Sequence, residues 1–278
     1  MTKFTKPFIR PTPEGGWALT DLSVKIITIA VLLGLWELAS QLGYIKIYLF
    51  SRPSKLAQTF VQLLTVGFPN GITVLVHIEA TFFRILMGFA LACAVGIPLG
   101  LFIGRTRWLE RTVDPIVTFA RSIATISLLP LAIAWFGVGE LARVLLIFYG
   151  CFWIVLTNTI QGAKFVDTVL IDAGRVLGAH GPRLFFQVIL PASLPRIFAG
   201  MKVALGMAFM VIIAVEMIGT IKGLGALIQQ ARTFYNTSIA IDGMIFIAII
   251  GLLIAYSLDW LERLLLPWNV AAPDDKDG

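Results

Sequence analysis

Residues 171–195 read IDAGRVLGAHGPRLFFQVILPASLP. Almost everything around this stretch is apolar, yet it packs three glycines, three prolines and Arg175, His180 and Arg183 into 25 residues. Starting just upstream, apolar residues fall at 166, 169, 170, 173, 176 and 177, the spacing of one helical stripe. Lys164, Asp167, Thr168, Asp172 and Arg175 fill the opposite face. The pattern predicts a helix that buries this stripe and stops at Gly178, where a left-handed residue can end it. "AHGP" then makes a turn, with Pro182 suited to the first turn of a second short helix, "RLFFQVIL", which Pro191 and Pro195 close. The stretch is therefore two helices about a Gly/Pro elbow. By its own pattern it is equally an interfacial loop on lipid headgroups or a docking element.

Working outward, the chain has 278 residues, 58% of them apolar and 14% charged, with a mean hydropathy of +0.89. Soluble domains carry about 25% charged residues, so this is an all-α, polytopic membrane protein. A span needs roughly 20 apolar residues. Six stretches qualify: 24–42, 82–104, 114–136, 141–161, 199–220 and 239–262. "GVGE" (137–140) joins the third and fourth as a tight hairpin. Residues 1–23 and 269–278 are expected to be tails, with flexible ends. The first apolar run, starting near Ile26, lacks a small-x-small exit and reads as a retained signal-anchor.

The net charge of +6 does not point to nucleic acid, because the basic residues flank spans and orient them. With the N-terminus inside, thirteen Lys and Arg lie in inner segments, Arg105, Arg107, Arg111, Lys164 and Arg183 among them, against five outside. That bias puts both termini and the elbow in the cytoplasm.

No catalytic constellation is visible. Cys93 and Cys151 fall inside spans and read as small buried apolar residues. No Gly-x-x-x-x-Gly-Lys-Ser/Thr phosphate loop occurs, and "GLGAL" (223–227) is a loop signal rather than a nucleotide site. No cofactor or metal is expected in this chain. Ionisable residues at membrane depth are costly, so each needs a partner or a function. Arg121, followed by Ser122 and Thr125, and Glu216 either face a polar pathway, where Arg121 suits a small anion, or pair with each other or snorkel to the interfaces. Glu37, Arg84, Arg143, Asp242 and Asp259 lie nearer span ends and are read as structural pairs. Gly88, Ala92, Gly96, Gly100 and Gly104 recur every fourth residue, a face that lets another helix approach closely. Gly200, Ala204 and Ala208 repeat the device. The partner is a helix of this chain or of a second copy. "SRPSKLAQTFVQLL" (51–64) predicts a short helix on the outer membrane surface.

From Asp172, the elbow reads acidic-Ala173-Gly174, three residues, Gly178, nine residues, Val188-x-Leu190-Pro191. This resembles the cytoplasmic Glu-Ala-Ala loop of ABC importer permeases, with the same spacing and with Asp172, Gly174 and Val188 as departures. "LPLAIAWFGVGE" (129–140), "AVEMIGTIKGLGALIQQA" (214–231), "HIEATFFRILMGFALACAVGIPLG" (77–100) and "SRPSKLAQTF" resemble segments of the nitrate/sulfonate/taurine subgroup. The resemblance spans about residues 24–268, a permease domain.

It implies that the loop 162–198 is a coupling element seated on an ATPase subunit. The residues concerned are Asp172, Ala173, Gly174, Gly178, Ala179, His180, Gly181, Pro182, Arg183, Leu184, Leu190 and Pro191. Leu177, Leu184, Phe185 and Phe186 would be its knobs, and Asp172 either braces the helix through a local cation or is simply solvated. It also implies a second permease copy, two cytoplasmic ATPases carrying ATP and magnesium, a periplasmic or extracellular solute-binding protein, and residence in a bacterial inner membrane. The chain itself would not be an enzyme. A secondary transporter driven by an ion gradient is the competing reading. An intramembrane enzyme is weak, with His77 and His180 on opposite sides.

Overall fold

The structure is a computed structural model, and it describes residues 9–11, 17–19, 21–44, 50–69 and 71–269. Strands β1 (Ile9–Pro11) and β2 (Trp17–Leu19) pair antiparallel, Ile9 opposite Leu19. The sequence reading had put only a flexible tail there. The C-terminal tail beyond residue 269 lies outside the described residues.

Helix α1 (Asp21–Gln41) is the first span, and α2 (Pro53–Thr65) follows, with Pro53 in its first turn. Helix α3 (Val74–Arg105) runs unbroken through Pro98, and α4 (Arg107–Ser122) follows at once. After a 3-10 turn (Thr125–Leu128) come α5 (Leu129–Phe136) and α6 (Glu140–Lys164). The elbow holds α7 (Thr168–Val176), the single turn α8 (Pro182–Leu184) and a π-helical turn (Phe185–Ile189) that leads directly into α9 (Leu190–Glu216). Helices α10 (Leu224–Thr233) and α11 (Thr237–Leu265) complete the described chain. Five helices are long and apolar enough to cross a membrane, and α4 with the Thr125–Phe136 segment makes a sixth span bent by 81°.

That bend corrects the continuous third span expected over 114–136. Ile123 and Ala124 adopt extended backbone (ψ 119° and 117°), and Pro130 follows in the first turn of α5. Hydropathy could not show the break, since an apolar residue counts equally toward a span whether helical or extended.

The bundle is organised by the small-residue face of α3. A side chain on Gly88 would come within 2.7 Å of Ile147, one on Gly100 within 2.6 Å of Thr159, and one on Gly104 within 2.6 Å of the Ile160 carbonyl. The partner of this face is therefore α6 of the same chain. The pairs advance together along both helices, so α3 and α6 run parallel, and the bent α4–α5 pair must recross the bundle between them. Helix α9 lies antiparallel on the other side of α6, with Gly200 against Asn158 and Gly162 against Ser193 and Arg196. Lipid is as apolar as these side chains, so close van der Waals packing rather than water exclusion holds the three helices. Ala92, Ile147, Val155, Ala204 and Ala208 are sealed in the core they form. The outer helix α2 docks on α11 through stacked Phe60 and Phe246 rings 4.4 Å apart and a Thr59 hydroxyl donating to Asp242.

Candidate functional site

At one end of the bundle the elbow folds on itself. Asp167 caps α7 by accepting from the Val169 N–H at 2.9 Å, as a short acidic side chain does for an open first turn. At the other end of α7 the chain reverses through Gly178 (φ +86°), and the Ala179 N–H reaches back to the Gly174 carbonyl at 2.9 Å. Gly181 (φ +54°) makes the second reversal before Pro182 opens α8. Both positions are left-handed, a region glycine enters without steric cost. Gly174 is buried: a Cβ there would sit 2.9 Å from Val188 and 3.1 Å from Leu184. A Cβ there would crowd the Val188 and Leu184 methyls, so glycine lets α7 sit close on the π-helical turn.

The polar face of α7 is exposed as expected, but apart from Val166 the apolar stripe is exposed too. Ile171, Ala179, Leu184 and Ile189 form the elbow's own small core with Val166. The apolar stripe read as buried is open: Val169, Leu170, Val176 and Leu177 are exposed, Val176 and Leu177 by 88% and 87%. Of the four expected knobs, Leu177 and Phe186 point outward, Phe185 is half-buried and Leu184 faces inward. Val169 and Val176 were not singled out beforehand, although the same periodicity contained them. Asp172 braces the outer face through an ion pair to Arg175 at 3.2 Å, and the His180 ring lies 3.1 Å from the Gly178 carbonyl. Ala173 and Arg183 are exposed, and Leu190 and Pro191 are half-buried where the elbow enters α9.

The break between α4 and α5 makes a second feature. A crevice of about 260 Å3 there is lined by Arg121, Ser122, Ala124 and Thr125 with Tyr149, Trp153 and Met207. It lies against the middle of α6, since Gly150 would strike Thr125 if it carried a side chain. Arg121 is exposed, donates to the Thr157 hydroxyl at 3.4 Å, and makes no ion pair among the described residues. The buried indole N–H of Trp153 has no acceptor among them either. Non-helical backbone at membrane depth is tolerated only inside protein or beside a cavity, and here it borders one that offers the Arg121 guanidinium. Thus Arg121, Ser122 and Thr125 line one crevice. Tyr149 and Trp153 complete the crevice without any prior signal beyond their place on α6.

Glu216 is elsewhere. It is fully buried at the opposite end of the bundle, and its partner is Arg84, not Arg121: Arg84 Nη1 donates to Glu216 Oε1 at 2.6 Å. The Thr81 hydroxyl and the Gly225 N–H donate to the same carboxylate at 2.9 Å. Gly223 (φ +133°) passes so close that a Cβ would lie 2.4 Å from the carboxylate carbon, so "GLG" is a backbone cradle for the chain's own glutamate. Arg84 also grips Glu140 through Nε and Nη2 at 2.5 and 2.7 Å, and Arg143 donates to Glu140 at 2.9 Å. Arg84 and Arg143 pair with Glu140, and Asp259 with Lys202; Asp242 accepts only from the Thr59 hydroxyl, and Glu37 from Gln41 and Ser54, so neither forms an ion pair among the described residues.

A multi-helix membrane bundle with a broken span, a polar crevice at mid-depth and a folded elbow at one end defines a transport protein that moves a solute across a bilayer. The comparisons carry this further. The chain belongs to the family of binding-protein-dependent transport system inner membrane components, which it matches over residues 96–269. It is 35% identical to the taurine transport system permease protein TauC of Escherichia coli (strain K12), over 91% of this chain and 92% of that one. It is 32% identical to the putative aliphatic sulfonates transport permease protein SsuC of Bacillus subtilis (strain 168), over 86% and 85%. To the nitrate import permease protein NrtB of Synechocystis sp. (strain PCC 6803) it is 34% identical, over 87% and 88%. The fold is similar to that of the MetNI methionine ABC transporter in inward facing conformations, with a TM-score of 0.59 at 23% identity, covering 69% of this chain and 95% of that one. The chain is thus the permease component of an ATP-driven importer, a multi-pass inner-membrane protein. ATP hydrolysis belongs to a separate ATPase subunit and solute delivery to a binding protein.

Proposed function

We propose that the chain carries a small anion of the sulfonate, taurine or nitrate type into the cell by alternating access, as one of two identical copies, with both termini and the elbow on the cytoplasmic face. The observation that carries this reading is the exposed stripe of α7. An elbow that buries its own core and still leaves Val169, Val176, Leu177 and Phe186 bare has the form of a preformed docking surface. A partner gripping these residues moves α7 as a unit, because Gly174 seats it against the π-helical turn that continues into α9. Motion of the ATPase is thereby passed to a helix that packs along the transmembrane core. The coupling role falls on Asp172 to Arg183 with Leu190 and Pro191, and Leu184 serves it from inside as support.

The anion preference rests on Arg121 at the crevice. Glu216, held by Arg84, serves the pathway by fixing α3, α6 and α9 around it rather than by touching solute. The test is reconstitution of the permease with its ATPase and binding protein in proteoliposomes. Uptake of taurine, an alkyl sulfonate or nitrate should require ATP and the binding protein together. Uptake driven by an ion gradient, with no ATPase subunit present, overturns the reading.

A further inference from the structure

We propose that the cavity between α4 and the last turns of α6, at the elbow end of the bundle, is a site for the phosphodiester headgroup of an anionic phospholipid, held by Arg107 and Arg111. The cavity measures about 600 Å3; Arg107, Glu110, Arg111 and Asp114 line it from α4, and Gln161 and Lys164 from α6. The four α4 positions are spaced by three, one and three, so they share one face of that helix. The proposal requires only that α3 and α6 cross a bilayer, and it is independent of the solute.

The depth of the cavity suits a headgroup. Helix α3 has 32 residues and α6 has 25. At about 1.5 Å per residue both exceed the roughly 30 Å of bilayer hydrocarbon, so their ends emerge among the headgroups. The two run parallel, and Gly104 lies against Ala163, so Arg105 and Lys164 emerge level on one side. Ile103 and Lys164, from these emerging ends, both line the cavity. Trp108, next to Arg107 in the chain, is 73% exposed, and such a side chain settles at the membrane–water boundary. Ile116 and Phe119 continue the same exposed face of α4 and offer acyl chains an apolar surface.

The charges select the ligand. Lys164 Nζ lies 2.7 Å from Glu110 Oε1, so these two neutralise each other. Arg107, Arg111 and Asp114 form no ion pair among the described residues. Two guanidiniums against one carboxylate leave a surplus of one positive charge, which a singly charged phosphodiester balances. Guanidiniums suit phosphate oxygens by their planar pair of donors, and basic pockets between spanning helices seat acidic headgroups. The first turn of α4 adds to the attraction. No side chain caps it, because the Thr106 hydroxyl donates to the Phe102 carbonyl instead, and an open amide end favours an anion. An ethanolamine headgroup is neutral overall and leaves the surplus standing. A glycerol headgroup removes it and presents hydroxyls to Asp114 and Gln161.

The test uses the full transporter, permease with its ATPase, in detergent micelles. Phosphatidylglycerol, phosphatidylethanolamine and inorganic phosphate are the probes, and native mass spectrometry counts the lipid retained per permease chain. Phosphatidylglycerol should be retained about fivefold or more above phosphatidylethanolamine, and excess inorganic phosphate should not displace it. Arg107→Gln combined with Arg111→Gln should lower its retention about tenfold or more, and Arg111→Gln alone about fivefold. Arg105→Gln, which removes an exposed cation outside the cavity, should leave retention unchanged. Arg107 and Arg111 are exposed, so their variants should keep the parent's thermal midpoint in lipid-free micelles. No retention by the unmodified transporter, or equal retention of the two lipids, overturns the site. Displacement by inorganic phosphate makes it a site for free phosphate and overturns the lipid. An equal loss in Arg105→Gln and in the double variant overturns the cavity as its place.

Discussion

Arg84 Nη1 lies 2.6 Å from Glu216 Oε1, joining residues 132 positions apart at the end of the bundle remote from the elbow. The same guanidinium grips Glu140, so one side chain ties α3 to α6 and α9. Removing one partner of a buried pair strands the other charge, at a cost of about 3–5 kcal/mol. Arg84→Ala should therefore lower the thermal midpoint of the purified protein sharply and reduce its yield. Glu140 has a side chain 55% exposed, so Glu140→Gln should cost at most about 1 kcal/mol. Thermal unfolding in detergent measures both, and equal losses would contradict the network as described.

The elbow turns on Gly178. Its φ of +86° is a conformation that a β-branched residue adopts only under strain, at roughly 1–2 kcal/mol. No side chain stands in the way there, so Gly178→Val should insert and fold, yet present α7 at the wrong angle. Proteoliposomes should show continued ATP hydrolysis with uptake reduced about tenfold or more. Normal uptake by this variant removes the coupling assignment.

Val176 and Leu177 touch almost nothing within the chain. Val176→Asp and Leu177→Asp should leave the thermal midpoint within about 0.5 kcal/mol of the parent, as surface changes do. Co-purification of the ATPase should fall by about tenfold or more for each, the usual weight of an interface anchor. A drop in stability instead would mean that the stripe is covered by the chain's own fold.

Gly100 sits where a Cβ would come within 2.6 Å of Thr159. Gly100→Leu should force α3 from α6 and abolish the folded protein, read as loss of a monodisperse species on size exclusion. Gly206, with nothing within 4 Å of its Cβ position, is the contrasting site, and Gly206→Ala should be silent.

Arg121→Ala should raise the solute concentration for half-maximal uptake without changing ATPase binding, and Arg121→Lys should restore only part of it, since an ammonium cannot offer the planar two-point grip of a guanidinium. Uptake kinetics at fixed binding-protein concentration decide this. An unchanged half-maximal concentration in Arg121→Ala takes the residue off the pathway.

Much of this was written in the order of residues. The small face of α3 was plain from a glycine or alanine every fourth position, because a helix brings such positions onto one side whatever surrounds them. The elbow was plain from Gly178, Gly181 and Pro182, whose backbone limits are local. The docking stripe of α7 was legible as a stripe but assigned to the wrong side: periodicity shows that Val169, Val176 and Leu177 share a face and is silent on whether protein covers it. Ile171 and Gly174, which lie off that stripe, are the α7 residues turned inward.

What the sequence alone determined is everything set within a few residues: the spans by length and hydropathy, the elbow by its glycines and prolines, the chemistry of Arg121. What only the tertiary structure decided is which distant groups meet. Glu216 could have answered Arg121 on charge alone; the parallel packing of α3 on α6 gave it Arg84 instead. The break at Ile123 and Ala124 likewise brings Thr125 against Gly150, a contact between residues that hydropathy never compares.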